Sequence, residues 1–312
     1  KTIIVPGKLF FEMIKSLPGS EISIKGDTKT NKFVIASKKI KFTISSILPE
    51  EYPSVLSKGD KTGEIESENL FECISKTFNA SNHDESVPVL ASIKMSFKDK
   101  TIQYDSTDRF RLAKAIGQWQ SQNKQTEEIL VGSRGVFELS KAFKGKGKLE
   151  IFLRKGNNDK NTTVAFATIN RLIILPLLNV EKFPPTDSLF IKNHETVVTV
   201  NSKQLLECLA RAAIVSLKNR VSLEYNNAEI KVTAGEDGDI GSTSENIPAT
   251  IVGAAKKVIY NINYLEDGLS PILTDNINIK INEPHRPNEI CAVDDKGQVK
   301  DNYKYLIVPI SS

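Results

Sequence analysis

The stretch Val197-Val198-Thr199-Val200-Asn201-Ser202-Lys203-Gln204-Leu205-Leu206-Glu207-Cys208-Leu209-Ala210-Arg211-Ala212-Ala213 carries two periodicities back to back. Its opening residues are β-branched and suit a strand. From residue 203 onward, Leu205, Leu206, Leu209, Ala212 and Ala213 fall three and four apart and form one apolar stripe of a helix. Asn201 stands at the junction, where a side-chain oxygen can accept an orphan N–H of the first helical turn. Strand, polar cap, amphipathic helix and then alternating strands make a module that can be sought elsewhere in the chain.

The module recurs five times. Apolar runs at Ile3-Ile4-Val5, Ile65, Ile129-Leu130-Val131, Val197-Val198 and Val258-Ile259 precede helices expected over residues 8–17, 69–78, 134–143, 203–213 and 264–269. The helix starts lie 61 to 69 residues apart, too far for a solenoid repeat of about 20–50. Ser67 and Asn201 suit N-cap positions, and Pro18 and Gly145 stand where helices should stop. Alternation at 33–35, 41–44, 102–104, 164–167, 223–225 and 277–281 predicts half-buried strands. A longer period overlies the first: Ile47-Leu48-Pro49-Glu50-Glu51-Tyr52-Pro53 returns in character as Leu178-Asn179-Val180-Glu181-Lys182-Phe183-Pro184. Modules therefore pair, with residues 63–190 and 191–312 as two-module domains and 1–62 as the second half of a domain lacking its first 60 residues or so.

The 312 residues, 39% hydrophobic and 26% charged, are ordinary for a globular chain of two or three domains, and the net charge of +4 decides little about partners. The apolar run 172–178 is broken by Pro176 and too short to span a bilayer, so no membrane partner is expected. Cys73, Cys208 and Cys291 form no Cys-x-x-Cys pair, which fits a reducing, cytoplasmic setting. His83, His194 and His285 make no metal or nucleophile pattern, and the acidic run 236–239 has Pro248 where a calcium loop needs its bidentate Glu. Lys144-Gly145-Lys146-Gly147-Lys148 lacks the Ser/Thr ending of a P-loop. No catalytic residue, metal site or cofactor is expected. The competing readings are a hydrolase or transferase using Asp108 with a histidine, and a β-rich adhesion module, for which signal, disulfides and stalk composition are missing.

Ser106-Thr107-Asp108-Arg109-Phe110-Arg111-Leu112-Ala113 follows the strand at 102–104. Together with Pro88-Val89-Leu90, the Glu-x-Phe-Pro of 181–184, the 205–214 helix and Tyr305-Leu306-Ile307-Val308-Pro309-Ile310, in order and at the expected spacing, it resembles the bacterial sliding clamps, the β subunits of DNA polymerase III. The likeness spans the whole chain. It implies an α+β clamp fold in which paired strand–helix–strands modules line a ring with helices and cover it with antiparallel sheets. It also implies a non-catalytic processivity factor that encircles duplex DNA without reading its sequence. The implied partners are a second copy, the DNA polymerase III α subunit, the clamp loader and other proteins carrying a clamp-binding motif. A divergent paralogue with a repair or resistance role is the variant within this class.

The resemblance also implies three surfaces. Sliding needs cations toward phosphates and no base readers, and the candidates are Lys8, Lys15, Arg134, Lys141, Lys144, Lys203 and Arg211, with Lys218 and Arg220 after the fourth helix. Val87 stands where such clamps usually carry an arginine, and the second and fifth helices open with the acids Glu66, Glu68, Glu72, Glu266 and Asp267. A peptide groove would take Leu90, Thr107, Arg109, Phe110, Arg111, Leu112 and Pro184 from the second domain and His285, Pro287, Leu306, Val308, Pro309 and Ile310 from the third. A charge placed at Leu112 or Val308 is expected to abolish peptide binding without unfolding. Head-to-tail closure would set Phe42 and Ile44, flanked by Lys38, Lys39 and Lys41, against Ile214 and Val215 beside Glu236, Asp237 and Asp239.

Overall fold

The computed structural model describes residues 3–19, 21–27, 30–47, 50, 52, 57–122, 126–156, 159–190, 193–226, 228–235, 241–282 and 286–310. They form two compact units, Lys1–Ser57 and Lys58–Ser312. In the first, helix α1 (Gly7–Ser16) precedes strands Ser23–Asp27, Lys32–Ser37 and Ile40–Ser45, which pair antiparallel in sequence order. Leu17, Ile35 and Ile44 are its buried apolar residues, and Phe10 meets Phe33 edge-on at 5.8 Å. No residue of α1 is buried, and Phe11 is 64% exposed.

The second unit is one uninterrupted run of 17 antiparallel strands. From edge to edge it passes through Gln120–Ser121, Asp60–Glu66, Lys148–Lys155, Asn161–Thr168, Arg171–Leu178, Glu127–Gly132, Ser92–Phe97, Thr101–Thr107 and Arg111–Gln118. It continues through Val299–Ile307, Asn288–Val293, Asn276–Ile281, Thr196–Asn201, Thr243–Gly253, Glu229–Ala234, Arg220–Asn226 and Lys256–Asn261. Against it lie α2 (Ser67–Phe78), α3 (Ser133–Phe143), α4 (Ser202–Val215) and α5 (Ile262–Leu269). All five helices fall where periodicity places them, and the result is the α+β class expected.

The pairing follows one rule twice. The strand entering α2 pairs with the strand leaving α3, and the strand entering α3 pairs with the one leaving α2. Around α4 and α5 the same exchange recurs through Thr196–Asn201 with Asn276–Ile281 and Lys256–Asn261 with Arg220–Asn226. α2 packs chiefly on Arg111–Gln118 and Thr101–Thr107, and α4 on Glu229–Ala234 and Thr243–Gly253. α2 buries Leu70, Cys73, Ile74 and Thr77, α3 buries Val136, Leu139 and Phe143, and Phe78 stacks on Phe137 with centroids 4.1 Å apart. α4 buries Leu205, Cys208, Leu209 and Ala212, and α5 buries Ile262, Leu265 and Leu269. Gly268 lets α5 press onto the sheet, since a Cβ there would fall 2.4 Å from the Tyr305 ring.

Local signals divide. Asn201 caps α4 by accepting the Gln204 N–H at 3.0 Å, as the sequence predicts, and Asn261 caps α5 in the same way at 3.2 Å. Ser67 does not cap α2; it is the helix's first residue. Its hydroxyl accepts the Lys146 N–H at 3.2 Å while its own N–H donates to Gly147 at 2.9 Å. The lysine–glycine turn at 144–148, with Gly145 and Gly147 both at φ 72°, is thereby docked on the start of α2. Among the described residues no helix is long and apolar enough to cross a membrane.

Candidate functional site

The two pairs of modules join where Arg111–Gln118 pairs with Val299–Ile307, setting Leu112 opposite Leu306 and Arg111 opposite Ile307. The turn before this seam is built by its own polar groups. Asp108 Oδ1 accepts the N–H groups of Phe110 and Arg111, both at 3.0 Å. The Thr107 hydroxyl donates to the Arg111 carbonyl at 2.6 Å and accepts the Arg109 N–H at 3.2 Å. Held in this way, Arg109 takes φ 81°. The Phe110 carbonyl accepts the Val308 N–H at 2.8 Å, carrying the joint one step past the strand pairing.

Arg111 locks the turn to α5. Its Nε donates to Asp108 Oδ2 at 2.9 Å, its guanidinium lies 4.2 Å from the centre of the Tyr264 ring, and its far end pairs with Asp267. Asp267 also accepts from Asn79 Nδ2 at 3.1 Å, tying α2, the turn and α5 together. Burial opposes the Arg111 charge, but Tyr305 and the two carboxylates outweigh it and hold the guanidinium protonated. Sequence reasoning placed Asp267 only among acids unfavourable to DNA; its carboxylate is committed to Arg111 and Asn79. Tyr264 and Asp267, one helical turn apart on α5, were the signal available for this grip.

The predicted groove residues sort by exposure. Leu112 (2%), Leu306 (3%), Leu90 (7%), Thr107 (7%) and Arg111 (6%) are buried, so an aspartate at Leu112 would unfold the seam, contrary to the expectation from sequence. Val308, Pro309 and Ile310 are half-buried, Ile310 donating its N–H to the Ile259 carbonyl at 2.8 Å, and the Phe110 ring, 59% exposed, lies 6.5 Å from that of Tyr264. Half-buried Pro287 precedes Asn288, which pairs with Ile307. The Leu90 carbonyl accepts the Asn82 N–H at 2.8 Å. Pro184, half-buried, follows the buried Phe183. His285 lies outside the described residues.

Next to the seam, Asp105 is fully buried, accepts from Gln103 Nε2 at 2.8 Å and has Lys114 Nζ 3.8 Å away. Burial pushes its carboxyl above the usual carboxylate range, against the pull of Gln103 and Lys114. Lys114 also pairs with Asp187 and lies 4.6 Å from the Phe190 ring, which fastens residues 187–190 to the sheet.

All nine candidate DNA-facing cations are exposed. Arg134 and Lys141 share the outer face of α3 with Glu138, which binds Lys141 at 2.7 Å. Lys144 lies 4.1 Å from the Phe71 ring, and Lys203 stands 4.0 Å from Glu207. Arg211 donates through Nε and Nη2 to the two carboxylate oxygens of Glu245, at 2.9 and 2.7 Å, so much of its charge is spent within the fold. Arg171, not singled out from sequence, donates to the Ala142 carbonyl near the end of α3.

The proposed closing surfaces are altered by strand alternation. On Ile40–Ser45, Phe42 and Ile44 turn to the inner face, Ile44 being 8% exposed, while Lys41 and Ile40 are exposed. Ile44 therefore belongs to its own core instead of a partner surface, and Ile40 is the open apolar residue there. Lys38 and Lys39 form the turn before this strand. At the end of α4, Ile214 is 72% exposed, Val215 is half-buried and Leu217, which the sequence reading missed, is 63% exposed. Glu236, Asp237 and Asp239 lie outside the described residues.

Asp108 spends its carboxylate on the turn, and His194 Nδ1 meets Asn282 Oδ1 at 2.9 Å. Burial pushes the Cys73 and Cys208 thiols up to about 12 and Cys291 up to about 11.

Comparison with known proteins gives one consistent match. The N-terminal, central and C-terminal domains of the DNA polymerase III beta subunit match residues 1–56, 64–184 and 187–311. A beta sliding clamp of Streptomyces coelicolor is 24% identical over 99% of this chain and 82% of its own length; one of Staphylococcus aureus is 25% identical over 99% and 80%. Among solved structures, the DNA polymerase III subunit beta of Pseudomonas aeruginosa has a TM-score of 0.87 at 21% identity, covering 99% of this chain and 82% of that one. The sliding clamp of Bacillus subtilis has a TM-score of 0.87 at 23% identity, covering 99% and 80%.

Proposed function

This chain belongs to the DNA polymerase III β-subunit family, and from that premise we propose how its surfaces serve a sliding clamp. It is a processivity factor of DNA polymerase III, an accessory subunit that keeps the polymerase on duplex DNA. The observation that carries the reading is the exchanged-strand, two-helix unit repeated within one continuous sheet, a stiff scaffold for a closed band. On this reading residues 1–62 belong to the second half of the first clamp domain, 63–190 and 191–312 are the second and third, and two copies close head to tail. Exposed cations, including Lys8, Lys15, Arg134, Lys141, Lys144 and Lys203, meet phosphates without reading bases.

Partner peptides dock on the seam, with Phe110, Val308, Pro309 and Ile310 at its open rim and Leu112 and Leu306 beneath. Non-catalytic action is supported by the engagement of Asp108 and by thiols held far from thiolate character, and a cytoplasmic setting by three reduced, buried cysteines. Primer extension by DNA polymerase III with clamp loader tests the reading. The protein should lengthen products several-fold, and Val308→Asp should abolish that gain while the circular dichroism spectrum stays that of the parent. An unchanged gain in the variant would place the docking surface elsewhere.

A further inference from the structure

Helices α2, α3 and α4 each open on a serine: Ser67, Ser133 and Ser202. In all three the serine N–H donates to the segment that follows the partner helix, at Gly147, Ala91 and Asp275, over 2.9, 3.0 and 2.8 Å. Two of the hydroxyls are spent there as well, Ser67 Oγ accepting the Lys146 N–H at 3.2 Å and Ser202 Oγ donating to the Thr274 carbonyl at 2.8 Å. The third is not. Ser133 is 4% exposed, and among the described residues its hydroxyl has no hydrogen-bond partner. A hydroxyl buried in this state costs free energy unless something outside the fold meets it.

Ser133 lines a cavity of about 610 Å³ between residues 78–91 and the first turn of α3. Arg134 and Gly135 line it too, and their N–H groups have no partner within the helix. Asn201 and Asn261 cap α4 and α5, whereas α3 has Gly132 at its N-cap and no acid in its first turn. The positive end of its dipole is therefore uncompensated. Arg134 is exposed and, among the described residues, has no ion pair. The stacked rings of Phe78 and Phe137 add an aromatic wall, with the His83 ring 5.8 Å from Phe78. Of the two acids in the lining, Glu138 is bound to Lys141, and Glu85 is exposed.

We propose that this cavity is a nucleotide site, in which the first turn of α3, the Ser133 hydroxyl and Arg134 take a terminal phosphate while the base packs on the Phe78–Phe137 pair. Backbone N–H groups at a helix start favour an anion, aromatic rings accept a base of any sequence, and the volume suits a small ligand. The exocyclic amino group of adenine can donate to Glu85. No residue of the 107–112 turn lines the cavity, so the site lies outside the docking seam. A free nucleotide and the 5′-phosphorylated end of a DNA strand share this chemistry.

Isothermal titration calorimetry on the intact protein tests the assignment with deoxyadenosine monophosphate, deoxyadenosine, inorganic phosphate and single-stranded hexadeoxyadenylate with and without a 5′-phosphate. The monophosphate should bind roughly tenfold tighter than either of its parts. Ser133→Ala should weaken it about tenfold while the melting temperature holds or rises, because no internal hydrogen bond is lost. Arg134→Gln should weaken it about fivefold. Binding confined to the phosphorylated oligonucleotide, with the same loss in Ser133→Ala, keeps the site and makes a strand end its source. Absence of binding by both phosphorylated ligands, equal affinity in Ser133→Ala, a monophosphate no tighter than phosphate alone, or a lowered melting temperature in Ser133→Ala overturns it.

Discussion

Asp267 is the residue whose role the structure changes most. Its removal leaves Arg111, with a side chain 5% exposed, holding one carboxylate instead of two. Because Asp267 is a third exposed and Asp108 remains, Asp267→Asn should cost about 1–2 kcal/mol, below the roughly 3–5 of a fully buried pair. Urea unfolding of the variant checks this. Asp105 works in the opposite direction. Burial raises its folded carboxyl above the unfolded value, so its ionised form weakens the fold at neutral pH and above. That penalty fades as pH falls through the raised value, because the folded state then takes up the proton first. Asp105→Asn should therefore stabilise by on the order of 1 kcal/mol at pH 8 and by progressively less toward pH 4. A gain independent of pH would show that Asp105 titrates alike in the folded and unfolded chain, contrary to the raised value. The sequence made the 106–113 string conspicuous, but not this division of its acids: a linear pattern shows that Asp108 and Arg111 are near each other, whereas Asp267 lies 156 residues beyond Arg111.

Helices and strands were the most legible level, because each announces itself through its own side-chain period. Of the stripe read on α4, Leu205, Leu209 and Ala212 are buried, and the other helices lie over the ranges expected from spacing. Less legible was which strand pairs with which. Alternation fixes the face a residue presents but not its neighbour, so the exchange between Asp60–Glu66 and Lys148–Lys155 has no signature within either segment. The same rule explains Ile44: two residues from Phe42, it shares that residue's inward face, while Lys41 before them and Thr43 between them are exposed. Ser67 shows the limit of cap signals, since the turn at 144–148 claims its hydroxyl. A test at this level is Gly268→Ala, where the added methyl meets the Tyr305 ring. Overpacking of this kind should cost roughly 1–3 kcal/mol, read as a lowered urea midpoint with unchanged slope.

At the scale of the molecule, the net charge of +4 is modest, and several cations are paired internally, Arg211 most completely. Binding to open DNA by phosphate attraction alone should then be weak and steeply reduced by salt, and retention has to come from enclosure. The docking seam was legible as a set of strings, while its depth was not: burial of Leu112 and Leu306 follows from strand pairing across 194 residues of chain, which separates the floor from the rim at Phe110 and Val308. The most direct measurement loads the protein with clamp loader and ATP onto a singly nicked circular plasmid, then follows it by gel filtration at 0.5 M salt before and after the plasmid is cut once. Enclosure predicts that the protein co-elutes with the circle and is lost on linearisation. Equal retention on circle and linear DNA, or none on the circle, would contradict it.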